Sequence, residues 1–265
     1  MALTLHEVAP RQGLAWVRQS FQVFFRRPLA FTVLFAVFLF GGTLVASVLP
    51  LVGRVVALMA VPLLSLGFMI ATRSALRDGA VHPGQLVEPL RGDPARRRAM
   101  LVLCIVYGIL TLAVMTIWGW VDGGRFDRWQ ELLASGDAKP EEIDALMADD
   151  RMLTGIVVFF TLASLLSIPF WHAPALVHWG GQGVAQSLFS STLAVWRTRG
   201  AFTVYLLAWS ALVGLFGVVA SLLFSLLGLR AMIPVAALPA GLMFSTAFYV
   251  SLYFVFVDTF GQPDE

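Results

Sequence analysis

Charged residues are scarce in this chain. They make up 13% of its 265 residues, whereas hydrophobic residues make up 58%. A soluble domain carries about 25% charged residues. Because a water-soluble fold could not hide this much apolar surface, the composition excludes an ordinary soluble protein. It predicts a chain for which lipid is part of the solvent.

Cysteine and lysine are almost absent as well. The single Cys104 lies in an apolar run, so no intramolecular disulfide can form. Lys139 is the one lysine, and arginine supplies the rest of the Lys and Arg total. No small-residue cleavage site follows the first long apolar run, so we expect that run to be retained as a membrane helix.

Motifs for catalysis and for metal or nucleotide binding are missing too. The chain has no H-E-x-x-H, G-x-S-x-G or Walker pattern and no metal-spaced cysteines. His172 and His178 flank the end of an apolar run, but six residues turn a helix by about 240° from its starting direction, which disfavours a shared haem. We expect both rings to form hydrogen bonds near lipid headgroups. The sequence predicts no enzyme activity, no metal and no cofactor.

The chain does contain long apolar runs. Six of them are long enough to cross a hydrocarbon core of about 30 Å. They cover residues 29–49, 51–71, 100–121, 153–177, 201–227 and 232–257. Arg54 lies one turn inside the second run, where its side chain can extend to the interface. We predict an all-α polytopic membrane protein with six transmembrane helices, in which residues 1–265 form a single integral membrane domain.

Two amphipathic segments precede pairs of these runs. Residues 11–27 and 181–197 carry apolar side chains at helical spacing, which predicts interfacial helices. The letters QGLA at 12–15 match QGVA at 182–185, and AFTV occurs at both 30–33 and 201–204. We interpret the order as quasi-repeats of one surface helix plus two spans, parallel to each other. The stretch 83–98 with the third and fourth spans is a degenerate third copy in this interpretation.

The segment 122–152 differs from the rest in its polarity. It holds nine acidic residues against four basic ones. Short apolar patterns predict two helices that form an acidic helical hairpin, with the carboxylates on a solvated face. Of the Lys and Arg residues, twelve lie on the side of the N-terminus and six on the opposite side. Because basic loops stay cytoplasmic, this bias predicts that both termini are cytoplasmic and that the hairpin is periplasmic. The short loops, the compact size and the lack of a cleaved signal indicate a bacterial inner (plasma) membrane protein.

Two sets of residues are candidates for function. Arg26, Arg27, Arg197 and Arg199 precede spans and are predicted to contact lipid headgroups. Pro169, Pro174, Pro234 and Pro239 are predicted to break helices or to line a cavity. No charged residue lies in the middle of a predicted span, which argues against ion-coupled transport.

The run PFWHAPALVHWGGQGVAQSLFSSTLAVWRTRGAF is similar to the central motif of a family of uncharacterised proteobacterial six-pass integral membrane proteins. The opening GLAWVRQSFQVFFRRPLAF also resembles that family's N-terminus. More distantly, the order of surface helices and paired spans resembles the membrane domain attached to some glycerophosphodiester phosphodiesterases. Their catalytic barrel is absent here, so the resemblance implies a fold and a location but no activity.

These observations favour a non-enzymatic inner-membrane protein that acts as an accessory or scaffold, or in envelope and lipid homeostasis. One alternative is a permease or exporter of a small apolar or amphiphilic substrate. Another is a subunit of a larger membrane complex. The expected partners are membrane lipids, with a second membrane protein or further copies of the chain as alternatives, and no nucleic acid.

Overall fold

The helices of this protein follow its apolar runs. The computed structural model describes residues 4–135, 140–229 and 232–263, and within these ranges it contains helices and no strand. The helices are α1 (Gln12–Arg26), α2 (Pro28–Val48), α3 (Pro50–Met59), α4 (Val61–Leu76), α5 (Pro94–Asp122), α6 (Arg125–Ser135), α7 (Pro140–Met147), α8 (Asp150–Phe170), α9 (Ala173–His178), α10 (Val184–Arg197), α11 (Arg199–Leu226) and α12 (Ile233–Phe260). Predictions that involve Asp137, Lys139 and Arg230 lie outside the described residues.

Membrane spans account for most of these helices. Within the described residues, α2, α5, α8 with α9, α11 and α12 are each long and apolar enough to cross a membrane. The pair α3 and α4 makes a sixth span if the two are counted together. The prediction of an all-α polytopic membrane protein is confirmed, and the helices extend beyond several of the predicted span limits.

The second span, predicted over residues 51–71, is bent. Helix α3 ends at Met59, α4 begins at Val61, and their axes differ by 41°. Pro62 lies in the first turn of α4. Proline lacks the N–H that an unbroken helix would need there and is well tolerated at a helix start, so a new helix begins at this point.

The fourth span is broken between α8 and α9. A continuous helix would join the N–H of His172 to the carbonyl of Ile168. Instead, the Ser191 hydroxyl of α10 accepts the His172 N–H at 3.0 Å and donates to the Ile168 carbonyl at 2.9 Å. A hydroxyl inserted into the backbone ladder satisfies the groups that the break releases, which a lipid environment requires.

The acidic segment forms the predicted pair of short helices, α6 and α7, which contact each other and α8. One of its carboxylates is not on a solvated face, contrary to our prediction. Asp122 is 3% exposed, and its Oδ2 accepts the N–H of Phe126 at 2.9 Å. At the other side of the segment, Arg125 Nε lies 2.5 Å from Asp149 Oδ1.

The two ends of the bundle differ in how they are packed. We call the end that holds α1, α10 and the last turns of α4 and α12 the α1 end, and the opposite end, with α6 and α7, the hairpin end. Chain segments are tied together at the α1 end, where His6 N–H donates to the Thr259 carbonyl at 2.9 Å and Arg96 Nη1 donates to the His178 carbonyl at 3.0 Å. The core lies toward this end.

Candidate functional site

Helix α1 is part of the core. Trp16 is fully buried, and its indole N–H donates to Asp258 Oδ2 at 2.7 Å. The Gln12 amide donates to the same oxygen at 2.6 Å. The Trp16 ring also packs edge-on against Phe202 and Tyr205, with centroids 5.9 and 5.8 Å away. Two donors and two aromatic contacts therefore hold α1 onto α11 and α12.

This arrangement corrects part of the interfacial prediction for residues 11–27. Val17 and Phe24 belong to the predicted apolar face and are buried against the bundle, but Leu14 and Phe25 of that face are each 61% exposed. Sequence reasoning missed Asp258, because it ended the sixth span at Val257. The signal available was the spacing of Gln12 and Trp16, which puts two hydrogen-bond donors on one helix face.

The four arginines predicted to contact headgroups lie at the α1 end in different surroundings. Arg26 and Arg197 are exposed. Arg199 is also exposed, and its guanidinium lies 5.3 Å from the centre of the Trp196 ring. Arg27 donates to the backbone carbonyls of Gly79 and Asp78, so it holds the loop after α4 in place. Headgroup contact by these residues remains a prediction.

The four candidate prolines fall at different points of the helices. Pro169 lies in the last turn of α8 and Pro174 in the first turn of α9, on either side of the break. Pro239 lies inside α12. Pro234 lies in the first turn of α12, so it begins this helix and does not break it. Pro62 of the second span lines a cleft.

His172 is not interfacial, contrary to our prediction. Its side chain is fully buried and packs against Phe202, Phe256 and Phe260, with ring centroids 6.0, 6.0 and 5.2 Å away. Neither ring nitrogen has a hydrogen-bond partner among the described residues. The described part of the chain also holds no group of three His, Cys, Asp or Glu side chains that could bind a metal ion.

A cleft lies between the fifth and sixth spans. Its mid-span part has a volume of about 520 Å³, and an adjoining part toward the hairpin end has about 260 Å³. Both parts are lined by Val213, Gly241 and Phe244. We call these two parts together the lateral cleft.

A smaller pocket continues from the lateral cleft into the bundle. Its volume is about 150 Å³, and it shares Phe248 and Tyr249 with the mid-span part of the cleft. Ser167 and Trp171 of the fourth span and Tyr107 of the third also line it. The fourth and sixth spans therefore do not close completely on each other, and the concave surface reaches the broken region of the fourth span.

The lateral cleft combines rings, small residues and hydroxyl groups. Trp209, Phe244 and Tyr249 supply rings to its mid-span part, and Ser210 and Ser245 supply hydroxyls. Among the described residues that line its two parts, none is charged. Such a surface can bury an apolar chain and hydrogen-bond to one neutral polar group, but it offers no partner for an ion.

Comparison with known proteins identifies the family to which this chain belongs. Over 265 residues, 99% of this chain and 96% of the relative, the sequence is 31% identical to a protein of Burkholderia thailandensis that is named a probable inner membrane protein. No family model and no solved structure matches the chain. The likeness to the membrane domain of glycerophosphodiester phosphodiesterases stays a prediction. With its apolar helices and this relationship over nearly its whole length, the chain belongs to the family of that probable inner membrane protein.

Proposed function

We propose that this inner-membrane protein is non-enzymatic and binds an uncharged amphiphile in the lateral cleft. The ligand class is a lipid with an apolar chain and a neutral hydrogen-bonding head, such as a diacylglycerol or a long-chain alcohol. This role takes lipid as the ligand from the envelope-lipid hypothesis and a cavity within the bundle from the permease hypothesis.

The observation that carries the proposal is the position of hydroxyl groups in an otherwise apolar cleft at mid-span. Ser210 and Ser245 lie on facing helices and line the same space as the Trp209 ring. In a hydrocarbon environment a bound hydroxyl or ester needs a hydrogen-bond partner, and these side chains can supply one. A charged headgroup would have to be desolvated there without a counter-ion, which is costly.

Access from the bilayer supports the same proposal. In the most apolar window of α11, 6% of the residues are buried, compared with 44% in that of α12. Helix α11 therefore exposes most of its length to lipid, and the cleft lies along one of its sides. A ligand that is already dissolved in the bilayer can enter sideways without crossing water.

The proposed orientation follows from the distribution of basic residues. Twelve of the eighteen Lys and Arg residues lie at the α1 end, which favours a cytoplasmic location for that end and for both termini. The lateral cleft would then open mainly toward the periplasmic half of the membrane. Reporter fusions to the loop after α4 and to the segment between α6 and α7 test this orientation directly.

The experiment that tests ligand binding uses a photoreactive diacylglycerol with the full-length protein in nanodiscs. Gly241 lines both parts of the cleft, and no neighbouring atom lies within 4 Å of the position that a Cβ would take there, so Gly241→Leu fills the space without a clash. Gly214 of α11 has equally open surroundings, so Gly214→Leu is the matched control.

We expect photoadducts on α11 and α12 in the wild-type protein. Gly241→Leu should reduce them about tenfold, which corresponds to about 1.4 kcal/mol of binding free energy, and Gly214→Leu should leave them unchanged. Equal labelling of all three proteins would refute the proposal. A second protein that co-purifies in stoichiometric amount would favour the complex-subunit hypothesis instead.

A further inference from the structure

A second cleft lies at the hairpin end, on the other side of the bundle from the lateral cleft. It has a volume of about 620 Å³ and is formed by α2, α3, α5 and α6. Apolar side chains such as Phe38, Leu58 and Met115 line its interior, and the Trp118 ring lies among them. Arg54, Asp127 and Gln130 add polar groups to this lining. We call it the hairpin-end cleft.

The two charged residues of this cleft do not hold the fold together. Arg54 comes from α3 and Asp127 from α6, and both side chains are exposed. Within the described residues, neither forms an ion pair with the other or with a third residue. The cleft therefore presents a positive and a negative group, more than 4 Å apart, above an apolar interior.

We propose that the hairpin-end cleft binds one phospholipid with a phosphate and a primary ammonium group, the headgroup chemistry of phosphatidylethanolamine. The Arg54 guanidinium contacts the phosphate, for which its forked donors are well suited. The Asp127 carboxylate accepts hydrogen bonds from the ammonium, and an acyl chain lies along Phe38 and Leu58. The Gln130 amide is in position to hydrogen-bond to the phosphate or an ester oxygen.

The surrounding charge favours this headgroup over an anionic one. Segment 122–152 carries nine acidic residues and four basic ones, so the field at this end repels a net negative lipid. A headgroup without an ammonium would leave the Asp127 carboxylate facing a phosphate. A quaternary ammonium has no N–H to donate to that carboxylate, so the primary ammonium fits best.

The position of the cleft matches the depth of a headgroup. Arg54 lies in the second turn of α3, close to the start of the second span, and Trp118 lies in the last turns of α5. Indole rings concentrate at the boundary between hydrocarbon and headgroups. Lipid chains would therefore extend from Trp118 toward the middle of the membrane, and the polar head would lie beside α6.

The test is native mass spectrometry of the full-length protein from nanodiscs that contain equal amounts of phosphatidylethanolamine and phosphatidylglycerol. The variants are Arg54→Gln and Asp127→Asn. The matched control is Arg128→Gln, because Arg128 is an exposed arginine of α6 that pairs with Glu131 at 3.5 Å and does not line the cleft. Arg54→Lys keeps the positive charge and shows whether a loss in Arg54→Gln reflects phosphate binding.

We expect the wild type and Arg128→Gln to retain one phosphatidylethanolamine in preference to phosphatidylglycerol. Asp127→Asn should lower that preference about fivefold, in line with a partly exposed charge contact. Arg54→Gln should weaken retention of both lipids, and Arg54→Lys should restore most of it. A wild type without preference, or an Asp127→Asn protein with the full preference, would overturn the proposal. Gly241→Leu blocks only the lateral cleft and should leave the preference unchanged, so the two proposals fail separately.

Discussion

The apolar core lies toward the α1 end, whereas toward the hairpin end the helices leave apolar clefts between them. Helix α12 passes through both regions: Val250, Val255 and Phe256 are fully buried, but Val235 and Leu238 are 61% and 68% exposed. Its hydropathy does not change sign along the way, so the difference comes from its neighbours. Surface helices α1 and α10 pack against the spans only at the α1 end, and they supply the side chains that close it.

The two ends therefore have different roles, and we call this difference the division between the two ends. The α1 end carries hydrogen bonds and aromatic contacts that fix the helices, and variants there should change the free energy of unfolding. The hairpin end carries the hairpin-end cleft, and the lateral cleft extends from mid-span toward it. Variants that line these clefts should change lipid binding more than stability.

Removal of the Trp16 side chain should have the largest effect on stability. Trp16→Ala leaves a cavity among Phe202, Tyr205 and the end of α12, and it removes one of two donors to Asp258. We expect a loss of about 3–5 kcal/mol in the free energy of unfolding, measured by thermal or denaturant unfolding in detergent. Trp120→Ala is the control, because Trp120 is 79% exposed at the hairpin end. Equal losses would contradict the division.

A side chain at position 13, where the protein has glycine, should cause the second largest loss of stability. A Cβ at this position would clash with the Ala201 carbonyl and lie 2.6 Å from the Tyr205 nitrogen. Gly13→Val should therefore push α1 away from α11 and cost about 1–3 kcal/mol. Gly183, the matching residue of the second repeat, has no atom within 4 Å of such a Cβ. Gly183→Val should thus have little steric cost, and an equal effect of both variants would count against the packing described for α1.

Loss of the Ser191 hydroxyl should have a smaller effect. Ser191→Ala leaves the Ile168 carbonyl and the His172 N–H without the partner that joins them across the break. We expect a loss of about 1–2 kcal/mol from these buried unsatisfied groups. Hydrogen exchange at His172, measured in detergent, should also become faster. Ser190→Ala provides a neighbouring control, and similar behaviour of both variants would argue against a role for the inserted hydroxyl.

The smallest effect concerns pH at the hairpin end. Partial desolvation raises the pKa of Asp149, but the N–H groups of Arg151 and Met152 and the Arg125 guanidinium lower it below the usual value for aspartate. A carboxylate with a lowered pKa stabilises the fold above its unfolded pKa of about 3.9, and this contribution disappears as the pH falls through the folded value.

Amide protection at the start of α8 should therefore decrease at a pH below about 4, after correction for the intrinsic exchange rate. Asp149→Asn should show the reduced protection already at neutral pH. Asp144→Asn, which changes an exposed carboxylate of α7, should behave like the wild type. If amide protection in the wild type does not depend on pH, the Asp149 carboxylate contributes nothing to the stability of the start of α8.

Hydrophobicity and local turn chemistry were sufficient to predict the fold class, the two short helices of segment 122–152 and the helical nature of segments 11–27 and 181–197. The broken spans were harder to predict, because the break near His172 depends on a hydroxyl that arrives from another helix. Pro62 was a visible signal for the bend in the second span. Whether Pro62 bends the span depends on whether the neighbouring helices can accommodate a bend, and a single sequence does not contain that information.

The candidate sites were less predictable for a related reason. Arg54 was interpreted as a side chain that extends to the interface, and Asp127 as part of a solvated face, since nothing in their spacing links them. They line one cleft because α6 folds back over α3 and α5. The lateral cleft depends on the distance between α11 and α12, which hydropathy does not report. In both places, tertiary packing determines which polar residues meet.

Footprinting with a small lipid-soluble diazirine tests the division between the two ends most directly, because the reagent partitions into the bilayer and labels whatever side chains lipid reaches. The measurement compares two stretches of α12 in nanodiscs, residues 235–245 and residues 247–256. We expect strong labelling of residues 235–245 and little labelling of residues 247–256, although both stretches lie within one span. Uniform labelling along α12, or stronger labelling at Val250 and Phe256 than at Val235 and Leu238, would contradict this expectation.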